Sequence, residues 1–312
     1  MTQNANRPLP NLFIVGAPKA GTTFLYKYLA AHPDVFMCAV KEPHYFATDL
    51  KLPWAPSLTE TEYLGLFEGA KTTIVGEAST WYLYSRTAAR QIHSFNPAAK
   101  ILVSLRNPVD LLYSLYWHRR FVGNETATSL EQALDDERRR REATEGAVSS
   151  FLGFGPVYQD LPRYAAQLER YLALFPRSNV YIQLFDEMIS APERCYRSIS
   201  EFLGVRSDFI PDFGPANVSR LTRSSLLETF MKAKWVKAFS RLLPRMTRSS
   251  VGKALKQWNT AYGKKPEMDP LERQRIELLY ESEIHSLERL LERDLGHWKY
   301  TSDSSIFYPA SE

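Results

Sequence analysis

Short apolar segments separated by polar and turn-forming residues recur through the first two hundred residues of the chain. Each is four or five residues long and rich in aliphatic or β-branched side chains, which is typical of buried strands. Their near-continuous apolar character favours parallel strands in a sheet that is covered on both faces. The predicted strands are Leu12–Val15, Thr72–Val75, Ile101–Leu105 and Val180–Leu184.

Amphipathic segments follow three of these strands, with apolar residues spaced as on one face of a helix. Strand alternating with helix predicts a three-layer α/β/α fold with a central parallel sheet. In such sheets ligands bind beyond the carboxyl ends of the strands, so we expect the turns after Val15, Val75 and Leu105 to surround one crevice. The predicted helices are Thr22–Ala31, Val109–Arg120 and Pro192–Leu203.

The remaining segments are helical in pattern and unevenly charged. Segment 130–144 carries an acidic and basic run that is typical of a solvated helix face, and a final helix is predicted over 269–294. Segment 220–256 holds ten Lys and Arg residues but one carboxylate. We interpret 1–312 as a single domain with an α/β core at 11–215, a basic helical lid-like segment at 216–268 and a C-terminal helix and tail at 269–312.

Composition narrows the class of protein. Hydrophobic residues make up 44% and charged residues 24%, which is normal for a folded chain, and the net charge of +4 is too mild to indicate a nucleic-acid partner. Cys38 and Cys195 lie far apart, so neither a disulfide framework nor a metal site is expected. The polar N-terminus does not resemble a signal peptide, and no apolar run approaches the ~18 residues of a membrane span. We therefore expect a cytoplasmic protein.

The turn after the first predicted strand has the character of a phosphate-binding loop. Its sequence, Gly16-Ala-Pro-Lys-Ala-Gly-Thr-Thr23, opens a helix. Glycines allow successive N–H groups to point at an anion, and the helix N-terminus adds partial positive charge. The loop departs from the nucleotide-triphosphatase pattern G-x-x-x-x-G-K-[ST], because residue 22 is Thr and the lysine stands within the loop as Lys19.

The turn after the third predicted strand supplies a second candidate anion site. Arg106 stands where the strand ends, and Pro108 suits the first turn of the helix that follows. Ser114 lies eight residues after Arg106, about two helical turns along. An arginine fork with a nearby hydroxyl can clamp a phosphate.

Together these motifs resemble those of the sulfotransferase family. P-K-x-G-T-T after a strand is similar to that family's 5′-phosphosulfate loop, and R-N-P-x-D-x-x-x-S is similar to its 3′-phosphate motif. The resemblance covers residues 11 to about 225 and implies a P-loop-like sulfotransferase fold and 3′-phosphoadenosine 5′-phosphosulfate (PAPS) as donor, with PAP as product. It assigns Lys19 to the bridging oxygen and sulfuryl group, Ala20, Gly21, Thr22 and Thr23 to the 5′-phosphate, and Arg106 and Ser114 to the 3′-phosphate.

A third motif indicates the base that would deprotonate the acceptor. Lys41-Glu-Pro-His-Tyr-Phe46 resembles the E-x-x-[HFY]-F segment of heparan-sulfate-type and related bacterial sulfotransferases, in which the glutamate is the base. The resemblance implies that Glu42 is catalytic. His44 and His118 remain alternatives, because the cytosolic branch of the family uses histidine. Lys41 is expected to neutralise sulfate or to contact the acceptor.

Two further segments are similar to family motifs. Gly76 to Tyr82 resembles the E-K-[ST]-P-x-Y segment beside the acceptor site, which implies acceptor-side roles for Glu77 and Ser79. Glu77 is expected to orient Lys19 or the acceptor, with a structural role as the alternative. Ala78 replaces the lysine of that motif, which disfavours heparan-like polyanionic acceptors. Segment 217–223 resembles one that closes over the donor, which implies that Arg220 or Arg223 contacts the 3′-phosphate.

The predicted function is sulfuryl transfer to an acceptor hydroxyl or amine, without a metal. A Mg²⁺-dependent P-loop small-molecule kinase is the alternative, although the third strand ends in Arg106 and not in a metal-binding carboxylate. A non-catalytic nucleotide-binding or membrane-associated scaffold is a third hypothesis. The acceptor is expected to be a small molecule, a glycan or a lipid-like compound, and 220–256 is open to interpretation as a lid, a peripheral membrane contact or an acceptor surface.

Overall fold

A five-stranded, entirely parallel sheet forms the centre of the molecule. The computed structural model describes residues 8–143, 158–213, 220–222, 260–262 and 265–299. The strands of the sheet are β1 (Leu12–Gly16), β2 (Val35–Met37), β3 (Ile74–Ala78), β4 (Lys100–Leu105) and β5 (Val180–Leu184), in the order β2-β3-β1-β4-β5. The prediction of a parallel sheet in an α/β fold is confirmed.

Helices cover both faces of this sheet. Within the described residues they are α1 (Thr22–Ala31), α2 (Glu60–Gly65), α3 (Ala88–Phe95), α4 (Pro108–Phe121), α5 (Leu130–Ala143), α6 (Tyr164–Leu172), α7 (Phe185–Ser190), α8 (Pro192–Leu203) and α9 (Pro270–Leu291). One core cluster includes Phe13, Val15 and Val103 on one face, and a second includes Leu12, Ile14 and Leu102 on the other. This alternation along β1 and β4 is why both strands read as continuously apolar.

The second predicted strand was placed too early in the chain. Strand β3 begins at Ile74 and continues through Gly76 and Glu77 to Ala78, whereas the apolar pattern ended at Val75. A charged residue does not usually mark a buried strand, but the Glu77 side chain is completely buried among hydroxyl donors. Strand β2, with three residues, is too short to give a periodic signal and was not predicted.

Strand β1 is the centre of the topology. Leu12 pairs with Gly76 of β3 on one side and with Lys100 of β4 on the other. From β1 the chain forms the sheet first on one side, with β2 and β3, and then on the other side, with β4 and β5. The strand order therefore reverses at β1, and a crevice opens beyond its carboxyl end. The loop from β1 to α1 and the turn from β4 to α4 both lie at this crevice.

Gly76 provides a test of the packing between β1, β2 and β3. An added Cβ there would lie 2.7 Å from the Met37 sulfur and 3.2 Å from Leu12 Cβ. We expect Gly76→Ala to lower the free energy of unfolding by about 1–3 kcal/mol through overpacking, as measured by urea denaturation. Gly65→Ala is the matched control, because nothing lies within 4 Å of its added Cβ. Equal losses in both variants would contradict the expectation.

The basic segment is described only at its two ends. Backbone pairing joins β6 (Arg220–Thr222) antiparallel to β7 (Thr260–Tyr262), and β6 runs beside α4. Arg223 and residues 224–256 lie outside the described residues, as do the side chains of 220–222. The interpretations of 220–256 and the donor contacts of Arg220 and Arg223 therefore stay predictions. Among the residues that are described, no helix has the length and apolarity required to cross a bilayer.

Candidate active site

The loop between β1 and α1 is shaped by two glycines with positive φ, at each of which an added Cβ would collide with a neighbouring residue. Gly16 has φ 153°, and a Cβ there would lie 2.7 Å from the Thr80 carbonyl oxygen. Gly21 has φ 79°, and its Cβ would lie 2.7 Å from the Phe185 ring. The loop is also tied to β4, because Ser104 accepts from the Ala17 amide through its carbonyl and donates its hydroxyl to the Ala20 carbonyl. The backbone is therefore held in one conformation where an anion would bind.

Lys19 joins this loop to the second predicted anion site. Its carbonyl accepts a hydrogen bond of 3.2 Å from Arg106 Nη1, and its own backbone is left-handed at φ 65°. Burial and then the Arg106 charge lower the pKa of Lys19, while the Glu42 carboxylate opposes them. Three residues predicted from separate motifs thus act on one another across the crevice.

The turn between β4 and α4 holds the second predicted anion site. We call the two sites cradles: the loop between β1 and α1, with Lys19, is the first, and Arg106 with Ser114 is the second. The Arg106 guanidinium lies 4.6 Å from the centroid of the Phe185 ring, and the Asn107 side chain caps α4 by accepting from the Val109 amide. Ser114 lies about two turns further along α4, and its side chain is buried. Its hydroxyl accepts a hydrogen bond of 3.0 Å from Lys265 Nζ.

Lys265 is a candidate contact for a bound anion, and the sequence analysis did not identify it. It lies 151 residues from Ser114 along the chain, in the segment before α9, and only the pair Lys264-Lys265 marks it. Burial, followed by the charges of Arg106 and Lys19, lowers the pKa of Lys265 to about 8. Lys19, Arg106 and Lys265 therefore form one group of cations whose mutual repulsion an anion would relieve.

A strained turn after β2 carries the predicted base. Glu42 and His44 both have left-handed backbones, with φ of 63° and 52°. Lys41 Nζ lies 2.6 Å from Glu42 Oε1, and His44 Nε2 lies 3.4 Å from Glu42 Oε2. Burial raises the pKa of Glu42, but the contacts with His44 and Lys41 outweigh it and hold the pKa at about 2. Glu42 is therefore ionised at neutral pH.

His118 faces the same crevice from α4. Desolvation within the crevice and the Lys19 charge lower the pKa of His118 to about 4, against the opposing effect of Glu42. The imidazole is therefore neutral at pH 7. His118 is exposed on α4 and is influenced by the charges of Lys19 and Glu42, whereas the other alternative, His44, is buried and lies 3.4 Å from Glu42 Oε2 through its Nε2.

The positions of Glu77 and Ser79 differ from the expected acceptor-side role. Both side chains are completely buried. Glu77 accepts hydrogen bonds from the hydroxyls of Tyr63, Tyr82 and Ser79 at 2.9, 2.8 and 2.6 Å. Neither residue has a surface that an acceptor could contact, so the structural alternative for Glu77 is the one that fits its geometry, and the acceptor contact expected of Ser79 does not fit its burial.

A cavity of about 680 Å³ lies beside the strained turn, between segment 44–60 and α3. His44, Tyr45 and Phe46 form one wall and Phe95 contributes to the other. Apart from His44, its charged lining residues are Arg90 and Glu60, so the formal charge of the lining is balanced. Its volume is within the range of small-molecule sites.

The fold and its two cradles define a phosphate-binding α/β protein. A family model described as "Sulfotransferase domain" matches residues 9–288, and the chain belongs to the sulfotransferase family. A crystal structure of a sulfotransferase from Alicyclobacillus acidocaldarius has a TM-score of 0.69 and 30% sequence identity, and the match covers 93% of this chain and 99% of that chain. The family predicted from the motifs is thereby confirmed.

Curated relatives are similar over part of their length. Carbohydrate sulfotransferase 15 of Homo sapiens is 26% identical over 255 residues, which cover 64% of this chain and 44% of the relative. Heparan sulfate glucosamine 3-O-sulfotransferase 6 of Homo sapiens is 28% identical over 212 residues, which cover 64% of this chain and 54% of the relative. The match thus spans about half the length of these two relatives.

Proposed function

We propose that the chain transfers a sulfuryl group from PAPS to an acceptor hydroxyl or amine. The observation that carries the proposal is the hydrogen bond from Arg106 to the Lys19 carbonyl, which joins two anion cradles at one crevice beside an ionised Glu42. A nucleotide with phosphates at both ends of its ribose matches two cradles, whereas a simple triphosphate requires one. The match to the sulfotransferase family supports PAPS as the class of donor.

The proposed chemistry divides between three side chains. Glu42 accepts the proton of the acceptor hydroxyl as the acceptor oxygen forms a bond to sulfur. The bond between sulfur and the bridging oxygen breaks on the opposite side, and its electron pair leaves with PAP. Lys19 stabilises the negative charge that develops on that oxygen. Arg106 and Lys265 bind the 3′-phosphate and hold the nucleotide in line.

Lys41 explains how a carboxylate with so low a pKa could accept a proton. Its ammonium lies 2.6 Å from Glu42 and contributes to the lowered pKa. We propose that Lys41 turns to the sulfuryl oxygens when the donor binds, which would raise the pKa of Glu42 towards its usual value. Glu42 would then be a stronger base in the complex than in the free protein.

The direct test offers the purified protein ³⁵S-labelled PAPS together with fractions of a cell extract. We expect labelled product and stoichiometric PAP, and tighter binding of PAP than of ADP in calorimetric titration. Neutral alcohols and sugars should outperform sulfated glycans, because Ala78 replaces a lysine of the motif and the neighbouring cavity is charge-balanced. Phosphoryl transfer from ATP that requires Mg²⁺, with no use of PAPS, would instead establish the kinase.

Lys265 gives the proposal a dependence on pH. A lysine with a pKa of about 8 in the free protein is protonated below pH 8, and a bound phosphate raises that pKa. Affinity for PAP should therefore be full near pH 7 and fall by up to ~10-fold per pH unit as the pH rises above 8. Titration at pH 7, 8 and 9 measures it, and Lys265→Met should bind more weakly with a flat profile. An unchanged slope in Lys265→Met would assign the dependence to another group.

A further inference from the structure

The turn that carries Glu42 is fastened to the end of β3 by three alternate backbone amides. Glu42 N–H donates to the Ala78 carbonyl at 2.9 Å, His44 N–H to the Ser79 hydroxyl at 3.0 Å, and Phe46 N–H to the Tyr82 hydroxyl at 3.2 Å. Left-handed non-glycine residues such as Glu42 and His44 cost on the order of 1–3 kcal/mol each. The turn therefore persists because its surroundings hold it.

Two of these three fastenings lead to one buried carboxylate. Ser79 and Tyr82, whose hydroxyls accept from the turn, both donate their own protons to Glu77, at 2.6 and 2.8 Å. Tyr63 donates a third hydroxyl to Glu77 at 2.9 Å, but its hydroxyl receives no hydrogen bond from the turn. Glu77, Ser79, Tyr63 and Tyr82 are all completely buried.

The direction of these bonds follows from the donors available. A backbone N–H can only donate, so each hydroxyl that accepts from the turn must send its single proton elsewhere. An ionised carboxylate accepts and never donates, and it therefore fixes both hydroxyls in the required orientation. Burial raises the pKa of Glu77, and the hydrogen bonds from Ser79, Tyr82 and Tyr63 oppose that rise and favour the ionised form. A glutamine amide in the same place would offer an N–H where a carboxylate oxygen now accepts, so one of these hydroxyls would lose the acceptor of its proton and with it its fixed orientation towards the turn.

We propose that Glu77 is a positioning residue for the sulfuryl-transfer reaction, which acts through Ser79 and Tyr82 to hold the turn that presents Glu42. The proposal rests on the proposed function of Glu42. It gives Glu77 no contact with acceptor or donor. Its effect should fall on kcat and leave the donor site unchanged, because Lys19 and Arg106 are carried by other turns.

Two tyrosines provide a matched test. Tyr63→Phe and Tyr82→Phe each remove one hydroxyl from the same oxygen, Glu77 Oε1, inside the same core. Only Tyr82→Phe also removes the acceptor of the Phe46 amide. We expect similar falls in melting temperature for the two variants, but a fall in kcat that is about tenfold larger for Tyr82→Phe, with the KM for donor unchanged in both. Equal kcat values in the two variants would overturn the proposal.

Glu77→Gln should lower kcat by ~10–100-fold, because small displacements of a catalytic group have effects of that size. Glu137→Gln is its control, since Glu137 is also buried and accepts from the Tyr158 amide at 2.8 Å, remote from the turn. If Glu77→Gln does not fold, Ser79→Ala removes the same fastening with a smaller change. The kcat of each folded variant is divided by the measured concentration of PAP-binding sites. An unaltered value in Glu77→Gln, or in Ser79→Ala if Glu77→Gln does not fold, would contradict the proposal.

Amide hydrogen exchange separates this proposal from the identity of the base. Exchange at His44 and Phe46 should accelerate in Glu77→Gln, while the Glu42 amide, which is bonded to the Ala78 carbonyl, should change least. Unchanged exchange at both amides would overturn the positioning role even if Glu42 proves to be the base. Accelerated exchange in a protein whose Glu42→Gln variant is fully active would instead overturn the assignment of Glu42 as the base and leave the fastening intact.

Discussion

Glu42→Gln is expected to lower kcat by about two to four orders of magnitude, the usual contribution of general acid–base catalysis. The substitution keeps the size of the side chain and removes its capacity to accept a proton. Binding of PAP should be retained, because Glu42 contacts Lys41 and His44, and its negative charge beside Lys19 opposes an anion and does not bind one. Steady-state kinetics and calorimetry on the same preparation measure both quantities.

The controls for this variant concern His118, the alternative base. His118→Asn should retain most activity if Glu42 is the base, and Glu193→Gln, on the exposed first turn of α8, should be indistinguishable from the unaltered protein. A fully active Glu42→Gln protein together with an inactive His118→Asn protein would transfer the role of base to His118, whose imidazole is neutral at pH 7 because its pKa is about 4.

Lys19→Ala and Arg106→Ala should have opposite profiles. Removal of the Lys19 ammonium takes away charge that matters most when the bridging oxygen becomes negative, so kcat should fall by ~100–1000-fold with a modest effect on PAP binding. Loss of Arg106 removes charge-assisted hydrogen bonds of ~1.5–3 kcal/mol, which corresponds to a ~10–100-fold weaker Kd for PAP. Calorimetric titration and single-turnover kinetics distinguish the two effects.

Lys27→Ala serves as the reference for this pair, because Lys27 is exposed on α1, away from the loop. Arg106 also donates to the Lys19 carbonyl and lies over the Phe185 ring, so its variant should melt at a lower temperature in the absence of nucleotide. Parallel losses of kcat and of affinity in Lys19→Ala and Arg106→Ala would show that the two cradles do not divide binding from catalysis.

Local patterns in the sequence were sufficient for the features that a single strand–turn–helix unit encodes. Gly16, Gly21 and Lys19 lie within eight residues, and the positive φ of Gly16 and Gly21 is a backbone conformation that glycine adopts most readily. Arg106 and Ser114 are likewise set by one strand end and the helix after it. The prediction that these turns meet follows from the rule for parallel sheets, and the contact between Arg106 and Lys19 confirms it.

Features that depend on contacts between residues far apart in the sequence could not be predicted from local patterns. Lys265 reaches Ser114 only because segment 265–269 returns to α4, and no pattern near either residue encodes that return. The resemblance of residues 76–82 to a family motif left Glu77 with an acceptor-side role or a structural one, and no local pattern could decide between them, since charged residues are rarely fully buried. Three hydroxyl donors from different parts of the chain make its burial tolerable, and their convergence exists only in the folded protein.

The close approach of Lys19, Arg106 and Lys265 affects the stability of the free protein, and therefore its lifetime. Burial, and after it the neighbouring positive charges, lowers the pKa values of Lys19 and Lys265, so keeping both lysines protonated in the free protein opposes folding. A ligand that binds the native chain alone adds to its stability in proportion to the logarithm of its concentration. The nucleotide pool around the protein should therefore govern its resistance to heat and proteases as well as its rate of turnover.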